Sequence, residues 1–148
     1  MVKQGPRVLL SASNPGAAGL IQVALEALEA NPQITVVGVV AQQPANTILA
    51  PICAQLGVPC LALDVARYDA GDVVAEHRLA AALEALVFPL KPDVVVTGLS
   101  GPDFGVDEAL VALAVRADWP AYSIQDAPGW VVQGIAGPAP TYFVQDRA

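Results

Sequence analysis

KPDVVVTGLSGPDFGVD, residues 91–107, is the stretch whose reading decides the fold. Its four β-favouring residues Val94 to Thr97 show no polar alternation, which suits a strand covered on both faces. Gly98, Gly101 and Gly105 then let the backbone bend, and Pro102 fixes it between two of those bends. A helix opens near Val106. Buried strand, glycine-rich turn and helix start follow each other as they do in a parallel α/β sheet. Open sheets of that kind bind ligands just beyond the strand ends.

Working outward, the same alternation recurs along the chain. Strands are expected at Arg7 to Ser11, Ile34 to Ala41, Cys60 to Asp64, Asp93 to Thr97 and Ala121 to Gln125. Helices are expected at about 16–30, 46–56, 74–87 and 106–117. In the first, Ile21, Ala24, Leu25 and Leu28 form one apolar stripe, and Asn31-Pro32 ends it. Gly57 suits a left-handed cap on the second, and Pro89 stops the third. Strands separated by helices of this length imply right-handed crossovers and a three-layer sandwich around a mainly parallel sheet. The expected order is 3-2-1-4-5, with a possible sixth strand at Thr141 to Val144. The chain reads as one domain, 1–148, whose last part, about 127–148, is a Gly/Pro-rich tail.

Composition narrows the function classes. With 55% hydrophobic residues, 14% charged and a mean hydropathy of +0.53, the chain is apolar enough to raise the question of a membrane. Its apolar runs are broken by Gly, Pro or charge well short of the roughly 18 to 20 residues a spanning helix needs. The start, MVKQGPRVLL, does not read as a signal peptide, so a soluble cytoplasmic domain is expected. A net charge of −7 with seven scattered Lys and Arg gives no basic stripe for nucleic acid. Cys53 and Cys60 match no zinc spacing and read as a reduced pair packed as small apolar residues. No metal site is expected.

Candidate ligand positions gather at the strand ends. In the first strand–helix turn, Ser11 to Gly19, backbone N–H groups at the helix start can hold an anion, and Gly16 and Gly19 permit close approach. The same glycines also serve tight helix–sheet packing. Neither a dinucleotide fingerprint nor a P-loop is present. After the second strand stand Ala41, Gln42 and Gln43, where a dinucleotide fold would carry an acid for the ribose, so NAD and FAD are not expected. Around the fourth loop, Asp103 or Asp107 can cap the helix from Val106, or Ser100 and Asp103 can face a polar ligand. Asp126 follows the fifth strand and either opens a turn or joins this loop across the sheet. The expected ligand-binding set is Ser13, Asn14, Gly16, Gly19, Ser100, Gly101, Asp103 and Asp126. His77 reads as a solvated helix residue, Trp119 as packing, and Trp130 as part of a contact surface. No catalytic residue or cofactor is assigned.

The run PDVVVTGLSGPDFGVDEALVALAVRADWPAYSIQDAPGWV resembles the N-terminal Rossmann-like half of GT-B glycosyltransferases and of the UDP-N-acetylglucosamine 2-epimerase superfamily. The resemblance is carried by Pro92-Asp93, Thr97-Gly98, Asp107 to Ala114, and Pro120 to Asp126 with Trp130. It covers about the last third of the chain by motif and the rest by element order. It implies a Rossmann-like domain binding a small anionic, nucleotide or sugar-like ligand. In such enzymes a second domain closes the crevice, so the resemblance also implies a partner chain or a homodimer, and a non-catalytic assembly module is the alternative. The dimer contact is expected along the apolar tail, at Trp130, Tyr142, Phe143 and Val144. The first half, ITVVGVVAQQP…LGVP, also loosely resembles formyltransferase N-domains. The Asn…His…Asp set of that family has no counterpart here, because His77 precedes the fourth strand.

Overall fold

The computed structural model describes residues 5–69, 71–100, 103–125 and 141–144, Gln125 and the last four by their backbone. In chain order the elements are β1 (Arg7–Ala12), α1 (Pro15–Ala30), β2 (Thr35–Gln42), α2 (Ala45–Leu56), β3 (Cys60–Leu63) and α3 (Val73–Val87). After a 3-10 turn at Phe88–Leu90 come β4 (Val94–Thr97), α4 (Val106–Ala117), β5 (Ala121–Gln125) and β6 (Thr141–Val144). Each expected element is present, with its ends within one residue of the expected ones.

The strands form a single sheet in the order β3-β2-β1-β4-β5-β6, and every pairing is parallel. The chain winds outward from β1 to β3, then returns to the other side of β1 for β4 and β5. With right-handed crossovers, that reversal places α1 and α2 on one face and α3 and α4 on the other. Leu10, Ala12, Ile21, Leu25, Leu49 and Cys53 build the core of the first face. Leu9, Val95, Leu79, Leu83, Leu110 and Leu113 build that of the second. Leu9 and Leu10 are both fully buried although they point to opposite faces, which is why β1 reads as an unbroken apolar run.

One irregularity explains the pattern of β2. Its register against β1 shifts between Val8↔Val36 and Leu9↔Gly38, leaving Val37 as an extra residue. Val36 and Val39 consequently share the α1/α2 core, while Val37 and Val40 share the other. A strict alternation would have separated them differently.

Helix ends follow local chemistry. Gly57 takes the left-handed conformation (φ 71°) expected of it, and its N–H returns to the carbonyls of Cys53 and Ala54. Asp72 caps α3 by accepting the Ala75 N–H at 3.0 Å. Cys53 is buried and Cys60 half-buried, both as free thiols. Burial first, and the neighbouring Cys60 second, push the Cys53 thiol up to about 12; burial also raises Cys60. Trp119 packs edge-on against Phe88, with ring centres 6.0 Å apart, and His77 is exposed on α3. Among the described residues no helix is long and apolar enough to cross a membrane. Of the tail expected at a dimer contact, Thr141–Val144 is taken up as a strand on β5. Trp130 lies outside the described residues.

Candidate functional site

The centre of the sheet's carboxyl edge is the gap between the ends of β1 and β4, where the topology reverses. A carboxylate from the chain itself fills it. Asp107, in the first turn of α4, is wholly buried. Its Oδ1 accepts the Ser11 hydroxyl at 2.6 Å, and its Oδ2 accepts those of Ser13 at 3.0 Å and Ser100 at 3.2 Å. The three serines come from β1, from the turn after it and from the loop after β4, so one side chain ties these segments together. Beneath them Thr97 and Ser123 share a buried hydroxyl pair at 2.8 Å.

Close approach of the backbone makes this cluster possible. A Cβ on Gly98 would sit 2.5 Å from the Ala17 Cβ, so only glycine lets the start of α1 lie against the end of β4. A Cβ on Gly105 would meet Gln42 Oε1 at 2.6 Å and Ser100 Oγ at 2.8 Å. Gly105 itself is extended (φ −155°), a conformation open to any residue. Space, rather than the bending expected from the sequence, is what requires glycine at these two positions.

The first turn of α4 is capped from two directions. Glu108 reaches back to accept the Gly105 N–H at 2.9 Å and also accepts the Ser100 N–H at 3.1 Å. Gln42, buried at the end of β2, accepts the Val106 N–H at 3.0 Å and donates to the Val65 carbonyl. The residue standing where a dinucleotide fold would carry its acid therefore serves as a cap for α4. Of the two caps expected there, Asp107 spends its carboxylate on the serines, and the capping carboxylate belongs to Glu108.

Burial raises the Asp107 carboxyl from the ordinary carboxylate range to about 7, and the adjacent Glu108 charge adds to the rise. The three serine hydroxyls pull in the opposite direction because they favour the anion. A carboxyl poised near neutrality at a topological switch point has the proton affinity of an acid–base group. Its complete burial makes it a holder of the loops in this conformation.

Of the expected ligand residues, Ser13 and Ser100 are brought together on Asp107 and are buried. Asn14 caps α1 through the Ala17 N–H at 2.8 Å and donates to the Leu99 carbonyl, joining the first turn to the fourth loop. Gly16 and Gly19 are exposed on the start of α1. Asp103 stands apart from the cluster, on the rim of a cleft of about 320 Å³ beside the β3–α3 loop. Gly101 and Asp126 lie outside the described residues. Arg67, Tyr68, Asp69 and Arg78 also line this cleft. Tyr68 and Phe104 pair their backbones at 2.9 Å in both directions and stack their rings 5.8 Å apart, fixing the β3–α3 loop to the fourth loop.

Asp107, Glu108, Gln42 and Arg67 were absent from the expected set. Two of them carried a sequence signal. Asp107 lies three and four residues before Leu110 and Val111, on the buried stripe of its own helix, and Glu108 stands at the capping-box position three residues after Gly105. Among the described residues no group of three or more His, Cys, Asp or Glu side chains is arranged to hold a metal ion.

The parallel sheet in the order β3-β2-β1-β4-β5-β6, with its topology reversing between β1 and β4 and helices on both faces, defines a Rossmann-like α/β domain. Solved structures share it. A Listeria monocytogenes protein assigned as a UDP-N-acetylglucosamine 2-epimerase superposes with a TM-score of 0.63 at 15% identity, over 84% of this chain and 31% of that one. The UDP-GlcNAc 2-epimerase of Neisseria meningitidis, solved bound to UDP-GlcNAc, superposes with a TM-score of 0.60 at 17% identity, over 80% of this chain and 31% of its own. The chain thus spans under a third of either relative, and the likeness expected from the sequence holds at the level of fold. Neither a family model nor a curated protein sequence matches the chain.

Proposed function

We propose that this domain binds a small anionic, nucleotide- or sugar-like ligand at the carboxyl edge of its sheet, as part of a sugar-nucleotide-handling protein. The observation that carries the reading is the shared fold over most of the chain with two 2-epimerase structures, one of them bound to UDP-GlcNAc. Open α/β sheets bind ligands at this edge, and the tie from Asp107 to Ser11, Ser13 and Ser100 supports a rigid platform there. Asn14, Gly16, Gly19 and Asp103 are the described rim residues of the expected set that leave surface open to a ligand. Titrating the full chain with UDP-N-acetylglucosamine, UDP and N-acetylglucosamine 1-phosphate, followed by amide chemical shifts, tests it. Saturable shifts at the strand-end loops are expected, and their absence up to millimolar concentration overturns the proposal.

A second reading is an assembly module or enzyme subunit whose crevice is closed by another domain, on a partner chain or a second copy. The matched region is 31% of either relative, so most of each of those proteins lies outside the part this domain resembles. Sedimentation with and without ligand tests it, and a monomer that binds the ligand unaided at tens of micromolar removes it.

A further inference from the structure

We propose that the cleft between the β3–α3 loop and Asp103 is a phosphate subsite, in which Arg67 and Arg78 take the phosphoryl group of a phosphorylated, hydroxyl-rich ligand. The inference rests on the ligand-binding reading above and assigns its anion to a particular place, away from the α1 turn expected from the sequence.

The distribution of cations carries it. The chain has 14 Asp and Glu against seven Lys and Arg, so an arginine without an acidic partner stands out. Arg7 is held by the Leu90 carbonyl at 2.7 Å and the Lys91 carbonyl at 3.1 Å. Arg116 pairs with Glu84 at 3.0 Å. The other two described arginines, Arg67 and Arg78, line the same cleft, and among the described residues neither is in an ion pair. Arg67 donates from one terminal nitrogen to the Ser100 carbonyl at 3.1 Å. That bond orients the guanidinium and commits one of its five N–H donors.

The carboxylates around the cleft complement this arrangement. Asp72 is committed to the cap of α3, through the Ala75 N–H at 3.0 Å. Asp69 and Asp103 remain on the rim, able to accept hydroxyls, and the three acids do not converge as a metal site. A cleft lined by two guanidinium groups and by carboxylates suits a ligand that is anionic at one end and hydroxylated at the other, such as a sugar phosphate. The volume of about 320 Å³ lies at the lower end of small-molecule sites, of the order of 300 to 1,000 Å³. The cleft also stands beyond the ends of β3 and β4, on the edge of the sheet where such ligands bind. The Arg67–Ser100 bond joins it to the Asp107 cluster.

The probes are inorganic pyrophosphate and UDP-N-acetylglucosamine, titrated into the full chain and into Arg78→Gln, Arg67→Lys and Arg67→Gln variants, with amide shifts and affinity as readouts. Pyrophosphate is expected to shift the amides of Arg67, Ala75 and Arg78. Arg78→Gln is expected to weaken it about 10- to 100-fold, the size of a charge-assisted contact. Arg78 is exposed, so this variant should keep the wild-type amide spectrum; Arg67→Lys, which keeps the charge, should lose less than Arg67→Gln. Shifts confined to Gly16 and Ala17, or no shift with pyrophosphate, overturn the subsite. If UDP-N-acetylglucosamine still binds in that case, the broader reading stands without it. Pyrophosphate binding in the cleft with no response to the sugar nucleotide supports the subsite and overturns the broader ligand class.

Discussion

Replacing Asp107 with asparagine separates the cost of a buried charge from the value of the hydrogen bonds around it. The side chain keeps its shape, and the amide resembles the protonated carboxyl in offering both an acceptor and a donor to Ser11, Ser13 and Ser100, whose hydroxyls can rotate. In the folded protein the Asp107 carboxyl titrates at about 7, against an ordinary value of 3.8. The folded state therefore holds this proton more tightly than the unfolded chain does. The resulting stabilisation is fully present below about pH 4 and is lost as pH rises toward 7. A difference of this size corresponds to about 4 kcal/mol as an upper bound, a large share of the roughly 5 to 15 kcal/mol that holds a domain folded. The asparagine variant has no such proton to lose. Urea unfolding of both proteins at pH 4.5, 6 and 7.5 is expected to show wild type equal or superior at the lowest pH. The variant should gain on it by several kcal/mol at the highest. Carboxylates far from position 107 cancel to first order in the comparison, whereas Glu108, whose charge acts on Asp107, is relieved in the variant as well and adds to its gain at high pH. A stability difference that does not change across this range would refute the reasoning, because it would mean that Asp107 titrates alike in both states.

Other perturbations follow from contacts described above. Gly98→Ala places a methyl group against Ala17 and should cost about 1 to 3 kcal/mol, whereas Gly19→Ala, with nothing within 4 Å, should gain about 0.5 to 1 kcal/mol of helix propensity. Thermal unfolding of the two variants side by side checks the contrast. Gln42→Leu leaves the Val106 N–H and the Val65 carbonyl without their partner and should destabilise by about 2 to 4 kcal/mol, measured by urea midpoint at unchanged m-value. Cys53, buried and with its thiol raised to about 12, should resist iodoacetamide at pH 8 in the folded protein and react on unfolding; rapid labelling of the native chain would contradict its placement.

The architecture was legible because its signals are local. Apolar runs marked strands covered on both faces, Gly57 and Asn31-Pro32 marked helix ends, and the handedness of crossovers turned the order of elements into the order 3-2-1-4-5. The resemblance over residues 92–130 pointed to the fold that the 2-epimerase structures share. The strand-end cluster was legible only in part. Ser13, Asn14 and Ser100 were picked out as residues near a strand end, but periodicity cannot show what a hydroxyl will meet. Ser11 and Asp107 are 96 residues apart in sequence, and only the parallel pairing of β1 with β4 brings them to 2.6 Å. The same pairing turned Gly98 from a bending residue into a gap for Ala17, and the register shift at Val37 decided which valines share a face. Secondary structure is written in the spacing of neighbours along the chain. The partner of a buried polar group is set by tertiary packing, because a carboxylate withdrawn from water must find its hydrogen bonds wherever the fold supplies them.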